Sequence, residues 1–155
     1  MSRIMEAMEK RDFDRIAAKE HFLVVVTTLR RDGSAQSTVV NAGFLRHPLS
    51  GGPVLGMVLR GGTVKLRNLR QDPRITVTAR SGHEWASLDG RADIIGPDDL
   101  PPGFAPTALP SLLRQVFAAA GGTHDNWADY DRVMAQQRRA AVFVSPARVY
   151  GNQPR

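Results

Sequence analysis

The stretch His21-Phe22-Leu23-Val24-Val25-Val26-Thr27-Thr28-Leu29-Arg30-Arg31-Asp32-Gly33-Ser34-Ala35-Gln36-Ser37-Thr38-Val39-Val40 decides the fold. Phe22 to Leu29 is too rich in β-branched side chains to be read as anything but a strand. Arg31-Asp32-Gly33-Ser34 then gives a hairpin turn, with Gly33 supplying the positive φ. A second strand follows, Ala35 to Phe44. A hairpin this early starts an antiparallel sheet.

Working outward, a Pro/Gly loop at His47 to Pro53 leads into a third strand, Val54 to Leu59. Residues 63–70 form a short helix stopped by Asp72-Pro73. Two more strands, Arg74 to Ala79 and Glu84 to Ile95, are separated by Arg80-Ser81-Gly82-His83. Before the hairpin, residues 3–20 read as a helix with Ile4, Met8, Ile16 and Ala17 as its apolar stripe. Five prolines between Pro97 and Pro110 mark a surface loop. Ser111 to Ala120 is a short helix closed by Gly121-Gly122, and Asp125 or Asn126 caps another that carries Trp127, Tyr130 and Met134. Ala141 to Val144 is the last strand, followed by Pro146 and an extended tail. The pattern predicts a mainly β chain with α: one domain over residues 1–155, an antiparallel barrel of six or so strands with peripheral helices. Residues 97–139 form a loop and helical insertion before the last strand.

Composition narrows the function. The chain has 155 residues, a formal charge of +6 and no cysteine, which excludes disulfides and thiolate metal sites. No run nears the ~18 apolar residues that span a bilayer, and Met1 to Arg15 carries charges of both signs, unlike a signal peptide. A soluble, cytoplasmic protein is expected. Three of the 21 basic residues are lysines (Lys10, Lys19 and Lys65) and the rest arginines, a residue suited to phosphate and carboxylate. The charges are dispersed and only 6% of residues are aromatic, so a small anionic ligand fits better than nucleic acid.

The chemistry concentrates at Leu59-Arg60-Gly61-Gly62-Thr63-Val64-Lys65. A strand runs through two glycines into a helix start, with Thr63 as N-cap and Lys65 in the first turn. Free backbone N–H groups, the positive helix end, Arg60 and Lys65 together suit a phosphate. The same residues would also serve a plain strand–helix connection with solvated charges. Neither Walker-loop nor G-x-G-x-x-G spacing is present. His21, His47, His83 and His124 are scattered without metal-ligand spacing, and Asp98-Asp99 reads as a solvated turn. No serine has a triad around it, so no catalytic residue is assigned and hard chemistry falls to a cofactor. Trp85 is placed either to stack on a ring or to pack at the barrel rim, and Trp127 and Tyr130 share a helix face.

The segments "HFLVVVTTLRRDGSAQSTVV", "VLGMVLRGGTVKLRNLRQDPRITVTA" and "EWASLDGRADII" resemble, in order over residues 13–96, the pyridoxamine-phosphate-oxidase-like split β-barrels. More narrowly they resemble the class that uses the deazaflavin coenzyme F420. The resemblance implies a homodimer with each cofactor in a groove between subunits. By position, Arg60, Thr63 and Lys65 would hold the cofactor phosphate, with Val64 adding its backbone. Ser37, Thr38 and Val40 would lie along the tricyclic ring, Val58 and Leu59 beneath it, and Trp85 near it. Trp127 and Tyr130 would shape the substrate pocket. The oxidase branch has Ser-Arg-Lys where this chain has Thr63-Val64-Lys65, and an Arg where it has Thr38. Those departures favour F420 over FMN. The function implied is an F420-dependent reductase that passes a hydride to an electron-poor double bond of a small molecule. An FMN-dependent oxidoreductase and a non-catalytic F420 carrier are the alternatives.

Overall fold

The computed structural model describes residues 9–152, so the predicted helix residues Ile4 and Met8 lie outside the described part. In chain order the elements are α1 (Lys10–Ala18), β1 (Leu23–Leu29), β2 (Ala35–Asn41), β3 (Gly43–Arg46), β4 (Pro53–Leu59), α2 (Val64–Gln71) and β5 (Arg74–Ser81). They continue with β6 (Glu84–Ile95), α3 (Leu109–Ala119), α4 (Trp127–Gln136) and β7 (Ala140–Gly151). All pairings are antiparallel, in the order β2-β1-β5-β6-β7-β4-β3. The two edges of that order, β2 and β3, are separated in the chain by Ala42 alone. A seven-stranded sheet whose edges are one residue apart must curl into a barrel. The barrel is split because β2 and β4 face each other without a ladder.

The core has two parts. Inside the barrel, Leu55, Met57 and Leu59 of β4 meet Val142, Val144, Val24, Val26 and Leu88, and α1 packs Phe13, Ile16 and Ala17 into the same cluster. Arg15 and Lys19 hold α1 to Glu84 at 3.1 and 2.6 Å. Outside, Leu112, Leu113 and Val116 of α3 and Tyr130 of α4 cover Val54, Ala141 and Phe143. Strand β4 is thus apolar on both faces, which is why it reads as an unbroken hydrophobic run.

The main departures from the sequence reading lie in β1, β2, α3 and β7. Strand β1 starts at Leu23 because Phe22 has φ +61°. The single strand predicted over Ala35 to Phe44 is two strands, because α3 presses on the chain there: a Cβ on Gly43 would lie 1.9 Å from the Ala119 carbonyl oxygen. Helix α3 opens at Leu109, with Pro110 in the first turn, where a missing N–H costs nothing. Strand β7 runs on through Pro146 to Gly151. Its register shifts by one residue between Asp89 and Gly90, and that bulge accommodates the proline. The cap of α4 is Asn126, whose side chain accepts from the Asp129 N–H at 3.1 Å.

Candidate functional site

Thr63 caps α2: its Oγ1 accepts the Leu66 N–H at 3.5 Å, leaving the Val64 and Lys65 N–H groups at the helix end without intrahelical partners. Gly62 turns the chain into the cap at φ +76°. Gly61 is required by close approach, since a Cβ there would lie 2.5 Å from the Arg138 carbonyl oxygen. Its N–H donates to the Gln137 carbonyl oxygen at 3.1 Å. The α4–β7 junction therefore lies directly on the glycine turn. The β4–β7 ladder ends at Leu59 opposite Ala140, and the residues just past it are Arg60 and Arg139, close enough for their charges to interact.

The sequence alone does not single out Arg139. Burial pushes its pKa down, and Arg60 adds to the effect. Lys65 is pushed down too, first by burial and then by Arg139. The three cations share one neighbourhood. Among the described residues, the ion pairs go elsewhere: Asp98 to Arg138, Asp99 to Arg70, and Asp131 to Arg114. Asp98 and Asp99 lie in a turn, with Asp98 exposed as expected, and they also tie that loop to the α4–β7 junction and to α2.

Beside this cluster, at the split, lies a cavity of about 320 Å³ lined by Val39, Val40 and Asn41 of β2, Val58 of β4, Phe117 and Ala120 of α3, Tyr130 and Met134 of α4, and Arg139. It lies at the lower end of the size range of ligand pockets. Of the predicted ring-side residues, Val40 and Val58 line it. Leu59 points the other way, into the barrel core. Thr38 and Ser37 lie on opposite faces of β2. Ser37 is on the outer face, bonded to Thr27 Oγ1 at 2.8 Å. Thr38 faces Val26, with its Oγ1 buried and unpaired. Thr38→Val removes that unsatisfied group, so Tm should rise by a few degrees, as about 1 kcal/mol of recovered desolvation implies. A fall in Tm would mean the hydroxyl has a partner in solution.

Trp85 is not brought to this cavity within the chain. It stands at the opposite end of β6 from Ile95, ~33 Å of strand away, edge-on to Tyr150 at 6.2 Å between ring centres. Tyr130 lines the cavity with its ring, but its hydroxyl is engaged: it donates to the Leu113 carbonyl oxygen at 3.2 Å, and burial pushes its pKa up to about 12. Trp127 packs edge-on to Phe117 and under Arg114, in the α3–α4 layer and outside the cavity lining. His47 pins the β3–β4 turn. Its Nδ1 accepts the Leu49 and Ser50 N–H groups, and its Nε2 therefore donates to Asp93 at 2.7 Å. A larger hollow of about 470 Å³ opens on the outer face among Thr27, Thr76, Asp89 and Arg148. Its carboxylate, Asp89, takes Arg148, Thr76 and Tyr150; of the other two arginines that line it, Arg74 pairs with Asp72 and Arg91 makes no side-chain bond among the described residues.

No family model matches the chain. Solved structures do. A pyridoxamine 5'-phosphate oxidase-related, FMN-binding protein from Nostoc punctiforme superposes with a TM-score of 0.61 at 11% identity, over 90% of this chain and 81% of that one. The fold is the pyridoxamine-phosphate-oxidase-like split barrel. An F420 reductase has the same fold with a TM-score of 0.56 and 16% identity, covering 83% of this chain and 88% of that one. So does the haem storage protein HutZ from Vibrio cholerae, at 0.58 and 13%, over 92% and 94%. This split barrel thus serves flavin, deazaflavin and haem proteins. Among the described residues, no helix is long and apolar enough to cross a membrane.

Proposed function

We propose that the chain is an F420-dependent reductase. The observation that carries this reading is Arg60 and Lys65 flanking the Gly61-Gly62-Thr63 turn, without a carboxylate partner among the described residues, beside the apolar split cavity. That arrangement suits a ligand with an anionic tail and a flat ring. Arg60, Lys65 and the free N–H groups of Val64 and Lys65 would hold the phosphate, with Thr63 fixing the helix start. Val40 and Val58 would bed the ring, while Thr38, buried opposite Val26, does not line the cavity. Leu59 supports Val58 from the core side. When bound, reduced F420 supplies the hydride for an electron-poor double bond. The protein's own share is to orient the ring, screen it from water with Phe117 and Met134, and leave one face open. Tyr130, its proton engaged, shapes the wall and moves no proton.

Val64, half-exposed at the first helical position, brings no charge where the oxidase branch has Arg. F420, with its phosphodiester and glutamates, should therefore bind at least tenfold tighter than FMN, a difference of ~1.4 kcal/mol. Fluorescence titration with both cofactors tests this, and equal or tighter FMN binding would give the site to the flavin. Tight F420 binding without turnover on any acceptor would instead indicate a carrier.

A homodimer belongs to the same reading. On the outer face, Leu23, Val25 and Val39 are exposed, with Val25 and Val39 directly paired across β1 and β2. The cavity is too small to enclose a tricyclic ring and its tail, so a second copy would complete the groove, and Ser37 and Trp85 would act from that interface. Light scattering at micromolar concentration should give a dimeric mass; a monomer with cofactor bound would contradict it.

A further inference from the structure

We infer that Arg139 is a ligand-binding residue that, beside Arg60, completes a site for a phosphate group, and that this site costs the fold a cross-strand repulsion which the ligand relieves. The register is the first ground: just past the last pair of the ladder, Leu59 and Ala140, both chains carry an arginine, Arg60 and Arg139, on the face opposite to that pair. Like charges that neighbouring strands bring together repel, and Arg60 acts on Arg139 in this way just beyond the ladder end. Close packing is the second ground. Gly61 admits the Gln137–Arg138 backbone at a distance no side chain would allow, so the junction cannot swing Arg139 away. Orientation is the third: Gln137 Oε1 accepts from Arg139 Nε at 2.9 Å, fixing one edge of the guanidinium while its terminal nitrogens bond nothing among the described residues. Arg139 also borders the split cavity, so an anion held there joins whatever occupies it. Burial first, and the neighbouring arginine second, lowers the pKa of both Arg139 and Lys65.

Two measurements with opposite signs separate this role from a structural one. In chloride buffer, Arg139→Gln should unfold at a temperature about 1–3 °C higher than the parent, because a like-charge pair is lost. Inorganic phosphate, at constant ionic strength, should raise the parent's Tm in a saturable way. In Arg139→Gln the affinity for phosphate should fall about tenfold or more, the loss of one charge-assisted contact. General salting-in or salting-out would move both proteins equally. Arg139→Lys, which keeps a charge, should retain the parent's lower Tm and part of the phosphate response. A lower Tm for Arg139→Gln in chloride, or an unchanged phosphate response, overturns the inference.

The inference deepens the cofactor reading and fails separately from it. Phosphate binding through Arg139 with neither F420 nor FMN bound would retain this site and remove the proposed function. F420 binding unaffected by Arg139→Gln would do the reverse.

Discussion

Lys65→Ala should bind F420 more weakly by ~1.5–3 kcal/mol, roughly ten- to a hundredfold, while being at least as stable as the parent. Lys65 sits in the first turn of α2, half-buried, with no carboxylate partner among the described residues and with Arg139 as its charged neighbour. Burial costs its ammonium solvation, and nothing described in the chain offsets that cost. A ligand phosphate would. Removing the side chain therefore deletes a contact that exists only when the ligand is bound, and relieves a repulsion that exists when it is not. The loss should shrink as salt rises, since screening already weakens the contact in the parent. Titration at two ionic strengths, with Tm as the folding control, checks both points. Normal F420 binding by a folded Lys65→Ala protein would leave the glycine turn as a plain strand–helix connection.

Much of this was legible in the sequence because it rests on local rules. The hairpin at Arg31 to Ser34, the Thr63 cap and the stop at Asp72-Pro73 each follow from the conformational needs of two or three neighbouring residues. What was not legible depends on distant segments meeting. Arg139 looks like one of many arginines until β7 pairs with β4 and sets it beside Arg60. The partners of Asp98 and Asp99 are invisible until α2 and the α4–β7 junction present Arg70 and Arg138 to them. Ser37 and Thr38 are sequence neighbours, yet a strand's alternation sends them to opposite faces. Trp85 fits a ring-stacking role by its place in a motif, but β6 carries it to the far end of the barrel. Tyr130 and Trp127 share a helix face, and that face is chiefly core.

The break between β2 and β3 depends on one glycine, and Gly43→Ala should cost far more stability than Lys65→Ala or Arg139→Gln. Its Cβ would lie 1.9 Å from the Ala119 carbonyl oxygen, 2.4 Å from the carbonyl carbon and 2.9 Å from the Ala120 nitrogen. All three are backbone atoms of α3 and its cap, so no rotamer change can relieve the clash. Either α3 moves off β3 or the β2–β3 kink opens. Overpacking of this kind costs about 1–3 kcal/mol and more where the neighbour is rigid, which places Gly43→Ala at about 3 kcal/mol and about 6–12 °C in Tm. The damage should also reach the ligand. Ala120 and Phe117 of the displaced helix line the split cavity with Val39 to Asn41, the strand that the kink ends. F420 affinity should fall together with stability, although no atom of residue 43 lines the cavity. Gly33→Ala is the control: φ there is +87° with nothing within 4 Å of a new Cβ, so it should cost only the ~1 kcal/mol of a strained turn and leave binding unchanged. If Gly43→Ala proves as mild as Gly33→Ala, then α3 is not what breaks the strand at Ala42, and the barrel closes for another reason.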